Sequence, residues 1–139
     1  MAIDSLSISL SGMLAQKQKL AVSANNIANV STVGKIPDPT ATESASTVYK
    51  PLKISFSPSV IENLGSGVRS EVVEDSNAYS ISYAPSSPFA DEEGLIAVPN
   101  VDLVEESVNL ITAKLAYKAN IAAFKTADEM TRELLDTLA

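Results

Sequence analysis

Residues 100–139 read NVDLVEESVNLITAKLAYKANIAAFKTADEMTRELLDTLA and contain neither proline nor glycine. Nothing in this stretch therefore obliges a helix to end. Its large apolar residues recur at helical spacing in two neighbouring stripes. The first stripe consists of Val104, Val108, Ile111 and Leu115, and the second of Leu110, Tyr117, Ile121 and Phe124. The pattern predicts one long helix with an unusually wide apolar face.

This predicted helix is too long for a compact domain. From Asp102 to Leu138 it would extend about 55 Å at about 1.5 Å per residue. A compact chain of 139 residues has a diameter somewhat under about 40 Å. The helix therefore either breaks near residues 126–128 or projects as a rod whose apolar faces are covered by something other than its own domain.

The N-terminus carries a second amphipathic segment. A seam of apolar residues follows alternating three- and four-residue steps over about four heptads, as in a coiled coil. The seam consists of Ile3, Leu6, Leu10, Met13, Leu20, Ala24 and Ile27. It fits either a helix folded back on its own domain or a surface for another helix, and its length favours the second. Asn25, Asn26 and Asn29 follow, which indicates either a terminus held by specific hydrogen bonds or simple fraying.

The middle of the chain has a different composition. All seven prolines lie within residues 37–99, and four of the five glycines within residues 34–94. Residues 48–56, 68–73 and 79–83 are rich in β-formers and are separated by turn residues, Gly65-Ser66-Gly67 among them. We expect a β-hairpin or a three-stranded element here, with a flexible linker at residues 39–46.

The predicted fold is therefore mainly α with a small β element. Long N- and C-terminal helices form a coiled-coil-like α domain around a short, hairpin-rich middle. The expected division is an N-terminal helix at 1–34, a β-rich middle at 35–99, and a C-terminal helix at 100–139 that packs on the N-terminal helix and on neighbouring subunits.

Composition excludes several kinds of chemistry. The chain has no Cys and no His, which removes thiol nucleophiles, imidazole bases, disulfides and the usual zinc sites. Its net charge of −7 and lack of a basic patch make a nucleic-acid partner improbable. No run has the length of a membrane span, and the N-terminus lacks a basic signal region. The only acidic run, residues 91–93, fits a solvated turn better than a catalytic or metal site. We expect no catalytic residues, no metal and no cofactor.

Short motifs near both ends resemble a known family. SGMLAQ at 11–16, ANNIAN at 24–29, ADEEG at 90–94, VPNVD at 98–102 and AYKANI at 116–121 are similar to motifs of the flagellar basal-body rod proteins, and especially of their short proximal-rod subunits. Two features depart from the family. Gly34 is followed by Lys35-Ile36-Pro37 instead of an aromatic residue, and residues 35–46 do not follow the family pattern.

The resemblance implies a structural subunit of the bacterial flagellar rod. Such subunits are exported unfolded by the flagellar type III apparatus without a cleaved signal peptide. They polymerise in the periplasm through their terminal helices, with the same and different rod subunits and other basal-body components as partners. They are not enzymes and take no small-molecule substrate. Two other readings stay open: a secreted helical adaptor or effector that binds a partner helix, and a small hydrolase that uses the carboxylates of residues 91–93.

Both helices supply residues to the expected subunit interface. The residues are chosen for their positions on the apolar stripes and near the asparagine-rich terminus. They are Ile3, Leu6, Leu10, Met13, Leu20, Asn25, Ile27, Asn29, Val104, Val108, Ile111, Leu115, Tyr117, Asn120, Ile121, Phe124, Leu134 and Leu138.

Overall fold

The computed structural model describes residues 2–37, 48–61 and 64–138. Two long helices at the ends flank a small middle made of two antiparallel hairpins, which confirms the predicted fold class. The elements are α1 (Ala2–Asn29), β1 (Leu52–Ile61), β2 (Leu64–Glu74), β3 (Tyr79–Tyr83), β4 (Leu95–Pro99) and α2 (Leu103–Leu138). The expected linker at 39–46 lies outside the described residues.

Helix α2 is continuous over 36 residues. Of the two predicted alternatives, a helix broken near residues 126–128 is therefore wrong, and the helix is long and unbroken. Asp102 begins the helix as its N-cap, because its carboxylate accepts hydrogen bonds from the backbone N–H groups of Val104 (2.8 Å) and Glu105 (3.2 Å). Thr126 turns its hydroxyl back to the carbonyl of Ala122 at 3.1 Å. This bond satisfies the hydroxyl within the helix, so Thr126 does not interrupt it.

The two helices pack against each other through small residues. The buried positions of α1 and α2 are Ser9, Ala15, Val22, Ser23, Asn26, Ala113 and Ala127. Gly12 lies so close to Asn120 that an added Cβ would be 2.5 Å from the Oδ1 atom of that side chain. Small side chains allow the helix backbones to approach closely, which leaves little room for leucines between them.

The predicted N-terminal seam therefore does not coincide with the buried face of α1. Leu10 and Ala24 are exposed, and Leu6, Met13, Leu20 and Ile27 are only half-buried. The periodicity of the large apolar residues located a helix correctly. It did not locate the buried face, because that face is built mainly from serine, glycine, alanine and asparagine, with Val22 as its one larger apolar residue among those described.

The β1–β2 hairpin lies along α1. Its ladder runs from the pair Leu52↔Glu74 to the pair Ile61↔Leu64. The hydroxyl of Ser11 donates to the carbonyl of Ile8 (2.7 Å) and accepts from the backbone N–H of Val68 (3.1 Å), which fixes β2 on the helix.

Glycine is needed where this hairpin meets α1. Gly67 has φ +112°, and an added Cβ would collide with the hydroxyl of Ser11. Gly65 and Gly67 lie inside β2, so the expectation of a turn at 65–67 is wrong. Gly67 serves a close backbone approach to α1 and not a reversal of the chain, and Gly65 lies in the strand with open space beside it.

The second hairpin pairs Tyr79 with Pro99 and Tyr83 with Leu95. A bridge from Gly34 to Ala97 joins it to the segment after α1. Among the described residues the two hairpins form separate two-stranded sheets. The sequence predicted either a hairpin or a three-stranded element, and the three-stranded element is wrong. Strand β4 was not predicted, because its sequence LIAVP is a continuous apolar run without alternation.

The contact between Gly12 and Asn120 can be tested with a double-mutant cycle. Alanine is favoured over glycine within a helix by roughly 1 kcal/mol, but in the wild type the new methyl group would displace the Asn120 amide. We expect Gly12→Ala to give no gain in the free energy of unfolding in the wild type, and a gain of about 1 kcal/mol in the Asn120→Ala background. Urea unfolding of the four proteins measures the coupling. Equal gains in both backgrounds would contradict the close approach.

Candidate subunit interface

One apolar stripe of α2 faces away from the rest of the chain. The outer stripe consists of Val104, Val108, Ile111 and Leu115, all more than half exposed, with Val104 at 74%. On a helix of about 3.6 residues per turn these positions lie opposite Ala113, which is fully buried. The outer stripe is therefore on the side of α2 that α1 does not cover.

The second stripe faces α1. The inner stripe consists of Leu110, Tyr117, Ile121 and Phe124, all half-buried. Helix α2 thus uses one apolar stripe within the chain and leaves the other in solvent. The wide apolar face predicted from the sequence therefore consists of two stripes, one half-buried within the chain and one exposed to solvent.

Helix α2 extends past the start of α1. The pairs Gly12–Asn120 and Asn26–Glu106 set one antiparallel register, which puts the first residue of α1 level with residue 130 of α2. Beyond this point Leu134, Leu135 and Leu138 are exposed. The last two turns of α2 therefore carry leucines that have no cover among the described residues.

The predicted interface residues fall into two groups. The exposed ones can meet a neighbour directly, whereas the half-buried ones contribute part of their surface to packing within the chain. Exposed are Leu10, Asn25, Val104, Val108, Ile111, Leu115, Leu134 and Leu138. Half-buried are Leu6, Met13, Leu20, Ile27, Asn29, Tyr117, Asn120, Ile121 and Phe124. The side chain of Ile3 lies outside the described residues, and the interface role of the whole set stays a prediction.

Asn26 holds the ends of the two helices to the first hairpin. Its side chain is 1% exposed. The Nδ2 atom donates to the carbonyl of Leu52 (2.8 Å) and to Oε1 of Glu106. The Oδ1 atom accepts from the hydroxyl of Tyr49 (2.9 Å) and from the backbone N–H of Leu52 (2.9 Å). This Asn26 cluster, made of Asn26, Tyr49, Leu52 and Glu106, joins α1, β1, α2 and the segment before β1.

The Tyr49 hydroxyl acts as a hydrogen-bond donor in this cluster. Burial, and then the negative charge of Glu106, raises the pKa of the Tyr49 hydroxyl above its usual value. A tyrosine hydroxyl is already protonated at neutral pH, and the raised pKa of Tyr49 acts in the same direction, so Tyr49 remains a donor to Asn26.

The asparagine-rich terminus is therefore held by specific hydrogen bonds, which is one of the two alternatives that the sequence left open. Asn29 also donates to the carbonyl of Asn25 at 2.9 Å, and Thr32 to the carbonyl of Asn29 at 2.7 Å. Sequence reasoning chose Asn25 and Asn29 for the interface and missed the central role of Asn26. Helical spacing could have indicated it, because Asn26 continues the series of small residues Ser9, Gly12, Ala15 and Ser23.

The acidic run forms an exposed turn before β4. The carboxylate of Asp91 accepts from the backbone N–H of Glu93 (3.0 Å) and of Leu95 (2.8 Å). Asp91 thus stabilises a loop. Neither α1 nor α2, within the part of the chain that the structure describes, has the combination of length and hydropathy that a membrane span requires.

Comparison with known proteins finds two family models that cover both ends of the chain. Residues 6–34, in α1 and the segment that follows it, match the model of the flagella basal body rod protein. Residues 92–137, in β4 and α2, match the C-terminal model of the flagellar basal body rod FlgEFG proteins.

Full-length relatives agree with these models. The flagellar basal-body rod protein FlgC of Borreliella burgdorferi is 34% identical over 97% of this chain and 96% of its own length. FlgC of Escherichia coli O6:H1 is 32% identical over 90% of this chain and 89% of its own length. FlgC of Bacillus subtilis is 29% identical over 97% of both chains.

Two terminal helices around hairpins, together with these matches, define a structural protein of the flagellar basal body. The chain belongs to the flagellar basal-body rod protein family, in which it is a FlgC-like structural rod subunit. The resemblance read from the short sequence motifs is thereby confirmed. Three of those motifs contribute to close contacts within the fold, since they contain Ser11 and Gly12, Asn26, and Asn120.

The Asn26 cluster can be tested by comparing two neighbouring asparagines. Asn26→Ala removes four hydrogen bonds and leaves the half-buried polar groups of Tyr49, Leu52 and Glu106 without these partners. A fully buried group left in this way costs roughly 1–3 kcal/mol, and a half-buried group costs less. We expect the free energy of unfolding to fall by more than about 2 kcal/mol. Asn25→Ala is the matched control, because it makes the same change in helix propensity at an exposed position, and it should change stability by less than about 0.5 kcal/mol. Equal effects in urea unfolding would show that the cluster does not hold the elements together.

Proposed function

We propose that this chain is a subunit of the proximal rod that assembles through its terminal helices. The observation that carries the proposal is the outer stripe, a continuous apolar row on the side of α2 opposite α1. Exposed apolar rows of this length mark interaction sites in soluble proteins. The occupants are helices of neighbouring rod subunits, of the same or of a different kind, together with other components of the basal body.

Burial of the outer stripe supplies part of the free energy of association. Each large aliphatic side chain contributes roughly 1.5–3 kcal/mol when it passes from full exposure to full burial. The four residues of the outer stripe are already partly covered, so each supplies somewhat less than this. Association itself costs several kcal/mol in lost freedom of motion. The stripe therefore needs support from Leu134 and Leu138 at the other end of α2 to give a lasting contact.

The position of these surfaces fits a layered array of helices. Helix α2 has α1 on one side and an apolar row on the other, so it is suited to lie between neighbours. A contact between two different surfaces does not close on itself, and its repetition generates a helical assembly. A rod is an assembly of this kind.

The proposed route to the rod is export through the flagellar type III apparatus to the periplasm, without a cleaved signal peptide. The absence of cysteine supports this, because an unfolded chain without thiols cannot be trapped by disulfides in an oxidising compartment. The division into parts at 1–34, 35–99 and 100–139 belongs to the same proposal, with the outer parts serving assembly. The chain acts as a structural element and not as an enzyme.

A charged substitution in the outer stripe should separate folding from assembly. Leu115 is 62% exposed, so Leu115→Asp should change the stability of the free subunit by less than about 0.5 kcal/mol. In the rod the same carboxylate would be buried without a partner, at a cost of several kcal/mol at every subunit. We expect loss of motility and of completed rods, with normal export, in a strain that lacks the native subunit.

Ala123→Asp is the matched control, because it adds the same charge at an exposed position of α2 that lies about 90° around the helix from the outer stripe. It should support motility. Normal motility of Leu115→Asp would show that the outer stripe is not a contact in the rod. Failure of export itself would show that α2 is recognised before assembly.

A further inference from the structure

Strand β3 has an open edge that lacks the usual protection against pairing. All five of its residues are exposed, and among the described residues only β4 pairs with it. Its sequence, Tyr79-Ser80-Ile81-Ser82-Tyr83, contains no charge and no proline. Proteins commonly blunt edge strands with lysine, proline or a bulge. An edge without these features is suited to accept another strand.

The bridge to Gly34 shows which backbone groups of β3 are free. Ala97 donates to the carbonyl of Gly34 and accepts from its N–H, both at 3.0 Å. Its backbone groups therefore point away from β3, and Ala97 and Ile81 face each other without hydrogen bonds. The bond from the N–H of Ala84 to the carbonyl of Gly94, 2.9 Å long, fits the same alternation.

Hydrogen-bonded and non-hydrogen-bonded pairs alternate along an antiparallel ladder, so the direction of the backbone groups is known for every residue of β3. Ser80 and Ser82 direct their N–H and C=O groups to β4, whereas Tyr79, Ile81 and Tyr83 direct theirs to the open edge. Three residues therefore present backbone donors and acceptors outward. Their side chains also share one face of the hairpin, since side chains alternate along a strand.

The sequence of β3 is the same in both directions. When two copies meet antiparallel and centred on Ile81, Ile81 faces itself, and each Tyr79 faces Tyr83 of the other copy. All three facing pairs consist of residues whose backbone groups are free. The arrangement gives six hydrogen bonds between the chains and places tyrosine opposite tyrosine, a favourable cross-strand pair. A shift by two residues would lose part of this overlap.

We propose that the open edge of β3 binds β3 of a second copy, so that the free subunit forms a two-fold symmetric dimer. The occupant is a second copy because the match between free backbone groups and palindromic sequence is a match of the strand with itself. Such a contact is isologous and closes on two subunits. The proposal goes beyond the role in the rod.

The dimer is a form of the subunit outside the rod. Its two copies run in opposite directions along β3, whereas a helical array repeats one orientation. The dimer must therefore separate before the subunit joins an array. Two five-residue strands make a contact well below the size of a stable interface, so the dimer should be weak and should separate readily.

Cysteine crosslinking tests the arrangement directly, because the natural chain has no cysteine. In Ile81→Cys the two thiols would lie on facing residues whose Cα atoms are about 5.5 Å apart, within disulfide range. In Ser82→Cys, the matched control, the two positions would be about 8 Å apart and beyond that range. We expect Ile81→Cys to form covalent dimers at least about tenfold faster than Ser82→Cys. Equal rates would mean random collision and would overturn the proposal.

Sedimentation equilibrium of the full chain provides the second test. The wild type should show a monomer–dimer equilibrium, and Ile81→Lys should weaken it at least about tenfold because two lysines would face each other. Ser55→Lys adds the same charge to the exposed face of β1 and should leave the equilibrium unchanged. A wild type that stays monomeric up to the millimolar range, or an Ile81→Lys variant that dimerises normally, would overturn the proposal. Neither result depends on rod assembly, so this proposal can fail while the proposed function stands.

Discussion

The side chain of Asn26 is the contact on which the arrangement of the elements depends. A primary amide offers two N–H donors and two acceptor sites on oxygen, and in Asn26 all four are used. Aspartate has the acceptors without the donors, and glutamine carries the amide one carbon further from the backbone. The position therefore requires asparagine for a physical reason that can be read from the bonds themselves.

Close packing of the two helices explains where the large apolar residues go. Ala113 and Ala127 face α1, so the helices approach closely and the leucines are left at the margins or on the opposite side. This distribution is poor for an isolated domain, which gains most by burying large side chains. It suits a subunit that completes its packing with neighbours.

The sequence predicted the large features of the fold. Helical spacing of apolar residues, together with the absence of proline and glycine in residues 100–139, was enough for α2, and the run Tyr79–Tyr83 was enough for β3. Strand β4 was missed because an apolar run buried on both faces has no alternation to detect. Gly65 and Gly67 were assigned to a turn although both lie in β2. Glycine alone does not distinguish a turn from a position within a strand, such as the close contact of Gly67 with α1.

The candidate interface was predictable only in part. Spacing identified the outer stripe, yet periodicity alone could not say which of the two stripes on α2 faces α1. That choice depends on Gly12, Ala15 and Asn120, which allow a close approach and carry little hydrophobic signal. The role of Asn26 depends on Tyr49 and Glu106, which are distant in sequence, and no local pattern reveals such a convergence.

The sequence separation between members of the Asn26 cluster also determines when the fold can form, if the chain becomes free from its N-terminus onward. Asn26 and Glu106 are 80 residues apart, so the loop between them must close before the amide finds its last partner. Until Glu106 has emerged, α1 and the first hairpin have no second helix to pack on, and a single helix is marginal in water. The chain therefore stays uncommitted to its final fold until most of its length is free, and then its distant parts lock together in one step.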